Sequence, residues 1–334
     1  MISILDLRFL VFSLVFSFSL HAQVRIEGRV MSANDSLPIP GASVYFDGTS
    51  IGVSSGDDGL FSINTENKIS SPLIIAALGY RTRILPNEME KAQSGIIYLE
   101  ETQESLGEVH LETDPWSRQK KLDIFRREFL GNDRAALQCQ IKNEEALDLR
   151  YIPSTQTLVA FSDEPLKIIN RYLGYEITYN LTDFKAEFST ASGLRLTTMV
   201  YYEGYSFFKE LRKKPSARFL SNREKAFKGS SLHFMRSLAS QQLVENNFRI
   251  FYKSYEVLPY SYFRLNPGND LVEVDLLGEK IILVYEPLVQ SVIQADGKFY
   301  IDKYGNYTPP QNVLFSGEMS KSRVAQMLPL NYNI

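Results

Sequence analysis

Three aspartates placed close together are the first residues in this chain with the type and spacing to do chemistry. Asp47, Asp57 and Asp58 fall in the stretch PIPGASVYFDGTSIGVSSGDDGLFSI, residues 38–63. Carboxylates grouped in this way could coordinate Ca²⁺, which takes six to eight oxygen ligands. The spacing is not that of an EF-hand loop, which alternates acidic positions and closes on a bidentate Glu. Asp and Gly are also what tight turns require, Asp for its local side-chain bonds and Gly for positive φ. The run Gly56 to Gly59 is therefore read as the elbow of a β-hairpin.

Other catalytic chemistries find less support. A zinc site needs clustered His, Cys or acidic ligands, and beyond the first 22 residues only His110 and His233 occur, neither in a His-x-x-Glu or His-Glu-x-x-His setting. His233 follows Ser230 and Ser231, but adjacency in sequence is not triad geometry, and no Gly-x-Ser-x-Gly elbow is present. It is expected at the edge of a helix carrying Leu232 and Met235. No phosphate-cradling glycine motif occurs, so nucleotide binding has no support. Asp163, Glu164, Asp183 and Glu187 have no spacing that separates them from surface acids. No catalytic, metal or cofactor-binding residue is assigned, and a non-enzymatic protein is expected.

Two stretches carry binding chemistry instead. Lys209, Arg212, Lys213, Lys214, Arg218, Arg223, Lys225 and Lys228 form the densest charge feature, suited to anionic headgroups or an acidic partner. Glu210 and Glu224 interrupt it, as on an ordinary solvated helix face. The segment YYEGYSFF, residues 201–208, could offer an aromatic platform to sugar rings or a partner strand, although period-two aromatics more commonly pack across strands. The candidate binding surface is drawn from both: Tyr201, Tyr202, Tyr205, Arg212, Lys213 and Lys214.

The elements that must position these residues follow from composition and pattern. The 334 residues are 44% hydrophobic and 12% aromatic, enough for a sizeable core and, by length, for two domains. A net charge of −3 provides no basic field for nucleic acid. An apolar run from Phe9 to Leu20 behind Arg8 is shorter than a membrane span, and cleavage after Ala22 is expected. With no later apolar run long enough to span, the mature chain is expected to be exported, in the periplasm or at the outer membrane, with peripheral membrane contact open to its cations. Cys139 is alone and is read as a small buried apolar side chain.

Residues 23–112 read as short strands (VRIEGRVM, ASVYF, LFSI, PLIIAA, YRTRIL, GIIYL, GEVHLE) separated by turns, the pattern of a β-sandwich. The unbroken apolar run Pro72 to Ala77 predicts a central strand buried on both sides. From Trp116 the period changes: Leu122, Phe125 and Phe129 lie at helical spacing, with Ser117 as N-cap and Gly131 as stop. Residues 113–334 then give an α+β domain. An antiparallel set runs through TLVAFS, LKIIN, YEITYNL, FKAEFS and LRLTTMVYYEG, with Gly174 and Gly193 in turns. A helical block covers Ser216 to Asn246, FRIFYKSYEVL is a strand, and hairpins turn at Leu277-Gly278 and Asp296-Gly297. The last twenty residues carry few signals.

The first domain resembles the carboxypeptidase regulatory-like domain, a transthyretin-like β-sandwich common in exported Bacteroidota proteins. The resemblance rests on Gly28-Arg29-Val30, Pro40-Gly41-Ala42, Val44, Gly48-Thr49, Gly52, Asp58-Gly59-Leu60-Phe61 and Leu78-Gly79-Tyr80, with SLGEVHLE resembling the segment that closes such domains. Gly56 stands where the family often has an acid. No receptor plug or barrel follows, so a receptor function is not implied. The remainder resembles an uncharacterised domain that accompanies this sandwich in exported Bacteroidota proteins. The expected function is a non-enzymatic cell-envelope protein whose sandwich acts as a docking or binding module, with the α+β domain binding an envelope partner. The alternatives are a glycan-binding accessory of an outer-membrane uptake system and an enzyme whose site lies unrecognised in the second domain.

Overall fold

The computed structural model describes residues 24–65, 69, 71–86, 93–102, 112–191, 194–286 and 289–333. The expected leader and its cleavage point, His110, the turn at Gly193 and all of the closing segment SLGEVHLE except Glu112 lie outside them.

Among the described residues seven strands come first: β1 (Val24–Ser32), β2 (Ser43–Phe46), β3 (Gly52–Ser54), β4 (Leu60–Thr65), β5 (Leu73–Ala76), β6 (Arg83–Leu85) and β7 (Gln93–Leu99). They form two sheets, ordered β4-β1-β7 and β3-β2-β5-β6. Alternation does the sorting. Ile26 and Val30 of β1 meet Phe61, Ile63, Val44, Phe46 and Ile75 in one core, while Arg29 between them faces outward with its register partners Leu60 and Ile96. β5 shows why its apolar run is unbroken. Ile75 points into the sandwich core, and Ile74, on the opposite face beside Tyr45, is equally sealed because the rest of the chain covers that face.

Helix α1 (Arg118–Phe129) begins where Ser117 Oγ accepts from Lys120 N–H, and it buries Leu122, Phe125 and Phe129. Against it lies a sheet of β8 (Cys139–Ile141), β9 (Leu147–Ile152), β10 (Thr157–Ser162), β11 (Leu166–Asn170), β12 (Tyr175–Ala191) and β13 (Leu194–Glu210). The segments YEITYNL and FKAEFS are one continuous 17-residue strand, β12. It serves β11, then β10, on one edge and β13 on the other, with a register shift against β13 between Leu181 and Asp183. Aromatic rings fill this second core. Phe125 meets Phe184 edge-on at 4.8 Å, and Trp116 stacks on Tyr151 at 3.7 Å.

The expected helical block is two helices, α2 (Ala217–Phe227) and α3 (Ser231–Ala239), broken at Gly229 with φ +73° and restarted by Ser230 as N-cap. The strands that follow are β14 (Phe248–Tyr252), β15 (Tyr255–Val257), β16 (Phe263–Pro267), β17 (Leu271–Leu276), β18 (Ile281–Tyr285), β19 (Val289–Ala295), β20 (Phe299–Asp302), β21 (Tyr307–Thr308) and β22 (Val313–Gly317). They build two sheets, β15-β14-β18-β19-β22 and β16-β17-β20-β21, around a third core with Phe234, Met235 and Leu238 of α3.

Three local expectations fail here. FRIFYKSYEVL is a hairpin, β14 against β15, rather than one strand. The turns at Leu277-Gly278 and Asp296-Gly297 do not close hairpins. β17 and β18 belong to different sheets, as do β19 and β20, so each turn carries the chain across the core. Turn chemistry fixes a reversal locally, whereas the sheet that receives the next strand is decided by the core it must cover.

After helix α4 (Glu318–Lys321) the chain crosses all three cores in a few residues. Met319 belongs to the third core, Val324 and Leu328 to the second, and Leu330 packs on the sandwich.

Candidate functional site

The three aspartates do separate work. Gly59 N–H donates to Gly56 O at 2.8 Å and Gly56 N–H to Leu60 O at 2.9 Å, with Gly59 left-handed at φ +76°. Asp58 Oδ1 accepts from Leu60 N–H at 3.0 Å, and Arg29 Nε donates to the Asp58 carbonyl at 2.7 Å. The GDDG run is an elbow held by its own backbone, but not the elbow of a hairpin as expected: it joins β3 to β4, which belong to different sheets of the sandwich, so the turn carries the chain across the core. Asp47 lies in the next turn along, between β2 and β3, and points elsewhere.

That turn meets strand β13. Asp47 Oδ1 accepts from Ser206 N–H at 2.7 Å, Gly48 N–H donates to Ser206 O at 2.8 Å, and Phe208 N–H donates to Thr49 O at 3.0 Å. Thr49, fully buried, forms a parallel bridge with Phe207. β13 is an edge strand, and edges left open invite foreign pairing. Here the sandwich closes part of it. Tyr45 continues the contact, its ring 5.1 Å from that of Phe207 and its hydroxyl accepting from Asn180 Nδ2 at 2.6 Å. A Cβ on Gly52 would stand 2.8 Å from the Phe207 ring and 2.5 Å from Tyr45 Cβ, so no larger residue fits without movement.

The C-terminal segment fastens the same turn from the other side. Leu330 N–H donates to Gly48 O at 2.6 Å, and Asn331 Oδ1 accepts from Ser50 N–H at 3.0 Å. Arg236 on α3 holds this segment in place. It donates to the carbonyls of Tyr304 at 2.9 Å, Tyr332 at 2.8 Å and Leu330 at 2.7 Å, with Phe227 beneath its guanidinium. Burial lowers its pKa to about 10, which leaves it charged at neutral pH.

Burial raises the Asp47 carboxyl to about 6, against the opposing pull of the Ser206 and Gly48 amides. A folded pKa above the ordinary 3.8 favours the protonated folded state. The contribution is therefore full below pH ~3.8 and lost as pH rises through ~6, on the order of 2–3 kcal/mol in all. Asp47→Asn keeps the acceptor and removes the charge. Urea midpoints at pH 4.5 and 7 are expected to show a smaller gain on acidification in the variant. Parallel pH curves would contradict this account of Asp47.

The six residues of the candidate binding surface do not share one surface. Tyr202 turns inward and packs edge-on against Phe129 at 5.4 Å, on the face of β13 opposite Tyr201 and Tyr205. The Tyr201 hydroxyl donates to Glu203 at 2.5 Å, and burial beside Asp47 raises Tyr205. Arg212, Lys213 and Lys214 are exposed in the link to α2. Within the wider basic cluster Arg223 is internal. It pairs with both Glu210 carboxylate oxygens at 2.7 Å, donates to Leu173 O at 2.8 Å and lies 3.8 Å over the Tyr175 ring.

The remaining candidates are also placed. His233 is buried among Phe227, Phe248 and Tyr285; its Nδ1 accepts from Gly229 N–H at 3.1 Å, and burial lowers its pKa. Asp183 pairs with Lys185 at 2.7 Å, while Asp163 and Glu164 are exposed in the turn before β11. Cys139 is part-buried, its thiol pushed up to about 12, mainly by burial. Among the described residues no three His, Cys, Asp or Glu gather as metal ligands would.

The sequence reading passed over Arg236, Asn180 and Leu330, and took Thr49 only as part of the family pattern. Arg236 alone left a trace, as a lone cation in the otherwise uncharged helix SLHFMRSLA.

Together the two sheets and their inward-facing turn define a seven-stranded β-sandwich docked on its own chain. Residues 26–111 match the family model of the CarboxypepD_reg-like domain, and the sandwich is a domain of that family. No curated protein matches the chain.

Proposed function

We propose that this is a non-enzymatic, exported cell-envelope protein in which the CarboxypepD_reg-like sandwich docks an envelope protein partner and carries the larger unit with it. The observation that supports this reading is the division of the sandwich into a spent side and a free side. The outer face of β2 and β5 and the Asp47–Ile51 turn are taken up by β13 and the C-terminal segment. On the other sheet Leu60, Ile96 and Tyr98 stay 52, 57 and 41% exposed on one face, with Arg29 between Leu60 and Ile96 along a shallow groove. Apolar side chains grouped on a sheet beside Arg29, with Glu27 and Arg25 paired to each other further along β1, suit a partner with an apolar strip and an acidic residue. Export rests on the apolar run Phe9 to Leu20. No helix of the described residues is long and apolar enough to cross a membrane.

The test is a photo-reactive side chain placed at Ile96, with a second placed at Arg212, in intact cells. A single stoichiometric protein adduct at 96, absent at 212 and lost with Leu60→Lys, is the expected result. No adduct at 96, or turnover by the purified chain in a broad hydrolase screen, would overturn the proposal.

A further inference from the structure

A cavity of about 280 Å³ lies where the C-terminal segment crosses between the second and third cores. Its walls come from β13, the end of α2, the start of α3, the turn after β20 and residues 322–330. The turn is firmly built: buried Asp302 accepts from Tyr304 N–H at 2.8 Å and Asn306 N–H at 3.0 Å through Oδ1. The volume, about 280 Å³, falls just below the roughly 300–1,000 Å³ usual for small-molecule sites.

The lining is asymmetric in charge. Arg323 contributes a guanidinium, no carboxylate lines the cavity, and Arg323 makes no ion pair among the described residues. One of its nitrogens donates to Ser320 O, which leaves the rest of the fork unspent. The start of nine-residue α3 opens on the same space through Ser231 and Leu232, whose first-turn amides have no intrahelical acceptor. Tyr202 and Tyr307 also line it, and neither hydroxyl is a sealed, unpartnered atom. Burial raises both, Tyr307 to about 12, so at neutral pH they are protonated donors. Ala226, Met327 and Leu328 supply an apolar wall.

We propose that this cavity is a binding site for a small organic acid, its carboxylate held by Arg323, the Tyr202 and Tyr307 hydroxyls and the N-terminus of α3, its apolar body against Leu328. A guanidinium, two tyrosines and a helix start line one cavity that no carboxylate lines, a composition that favours an anion. The larger hollow beside β15, about 860 Å³, lacks this character. Its guanidinium, Arg249, is already paired with Glu256. The site is independent of the outer sheet of the sandwich and stands or falls without it.

The full-length chain titrated calorimetrically with phenylacetate, and with phenylacetamide as its neutral match, provides the test. Phenylacetate is expected to bind saturably at millimolar concentrations, and the amide about tenfold or more weaker. Arg323→Gln is expected to weaken phenylacetate by about tenfold or more, and the double variant Tyr202→Phe/Tyr307→Phe by several-fold. The Phe variants remove only oxygens, so they report on binding even if the Arg323 variant folds poorly. No saturable phenylacetate binding, equal binding of the amide, or unchanged affinity in the Phe double variant would overturn the proposal.

Discussion

Replacing Arg236 by alanine is expected to destabilise the protein by roughly 3 kcal/mol, because three part-buried carbonyls lose their donor at about 1–3 kcal/mol each, taken at the lower end. The three belong to Tyr304, Leu330 and Tyr332, which lie far along the chain from α3. Without the guanidinium, the segment that holds Gly48 and Ser50 loses its anchor. Arg236→Met keeps the bulk over Phe227 and should be nearly as damaging, since the loss is of donors rather than packing. Arg236→Lys should recover part of the stability, because an ammonium cannot reproduce the planar fork. Urea unfolding measures all three. A loss under about 1 kcal/mol in Arg236→Ala would show that water replaces the guanidinium at little cost.

The second large effect is expected from ending the chain after Ser322. This removes Val324 and Leu328 from the second core and Leu330 from the sandwich, at roughly 1.5–3 kcal/mol for each fully buried side chain. It also removes two of the three acceptors of Arg236 and the Ala325 carbonyl that accepts from buried Asn170 at 2.9 Å. The single tryptophan lies in the second core, so its fluorescence reports that unit while far-UV circular dichroism reports the whole. In the intact chain the two transitions should coincide. In the shortened chain they should separate, because the sandwich is then held to the second core by the β13 contact alone. Coincident transitions after truncation would mean that the β13 contact couples the cores unaided.

The sequence made much of this fold legible where a local rule and the tertiary structure agree. Helix α1 was readable because Leu122, Phe125 and Phe129 repeat at helical spacing behind a serine cap. The sandwich was readable from alternation, and β5 from an apolar run that announced burial on both faces. The structure adds that the outer cover is the chain's own second unit. The turns at Leu277-Gly278 and Asp296-Gly297 were misread because their chemistry signals a reversal without naming the sheet that receives the next strand.

Residues 323–333 showed no period because they pack singly onto two different cores. The Arg236 clasp left almost no signal because its partners are backbone carbonyls, which every residue has. Tyr201 and Tyr202 show the same limit at the candidate site. Alternation places them on opposite faces of β13, but only the packing of Phe129 and Tyr45 says which face is inside and which meets the sandwich.

The account rests on the sandwich being clasped to the rest of the chain through its Asp47–Ile51 turn, leaving the opposite sheet free. Native-state amide exchange on the full-length protein tests this most directly, read at Gly48, Ser206, Phe208 and Leu330. All four amides donate across the junction. They are predicted to exchange only with the amides of β12, through opening of the whole molecule. Exchange at the rate of an exposed turn, with β12 still protected, would contradict the clasp.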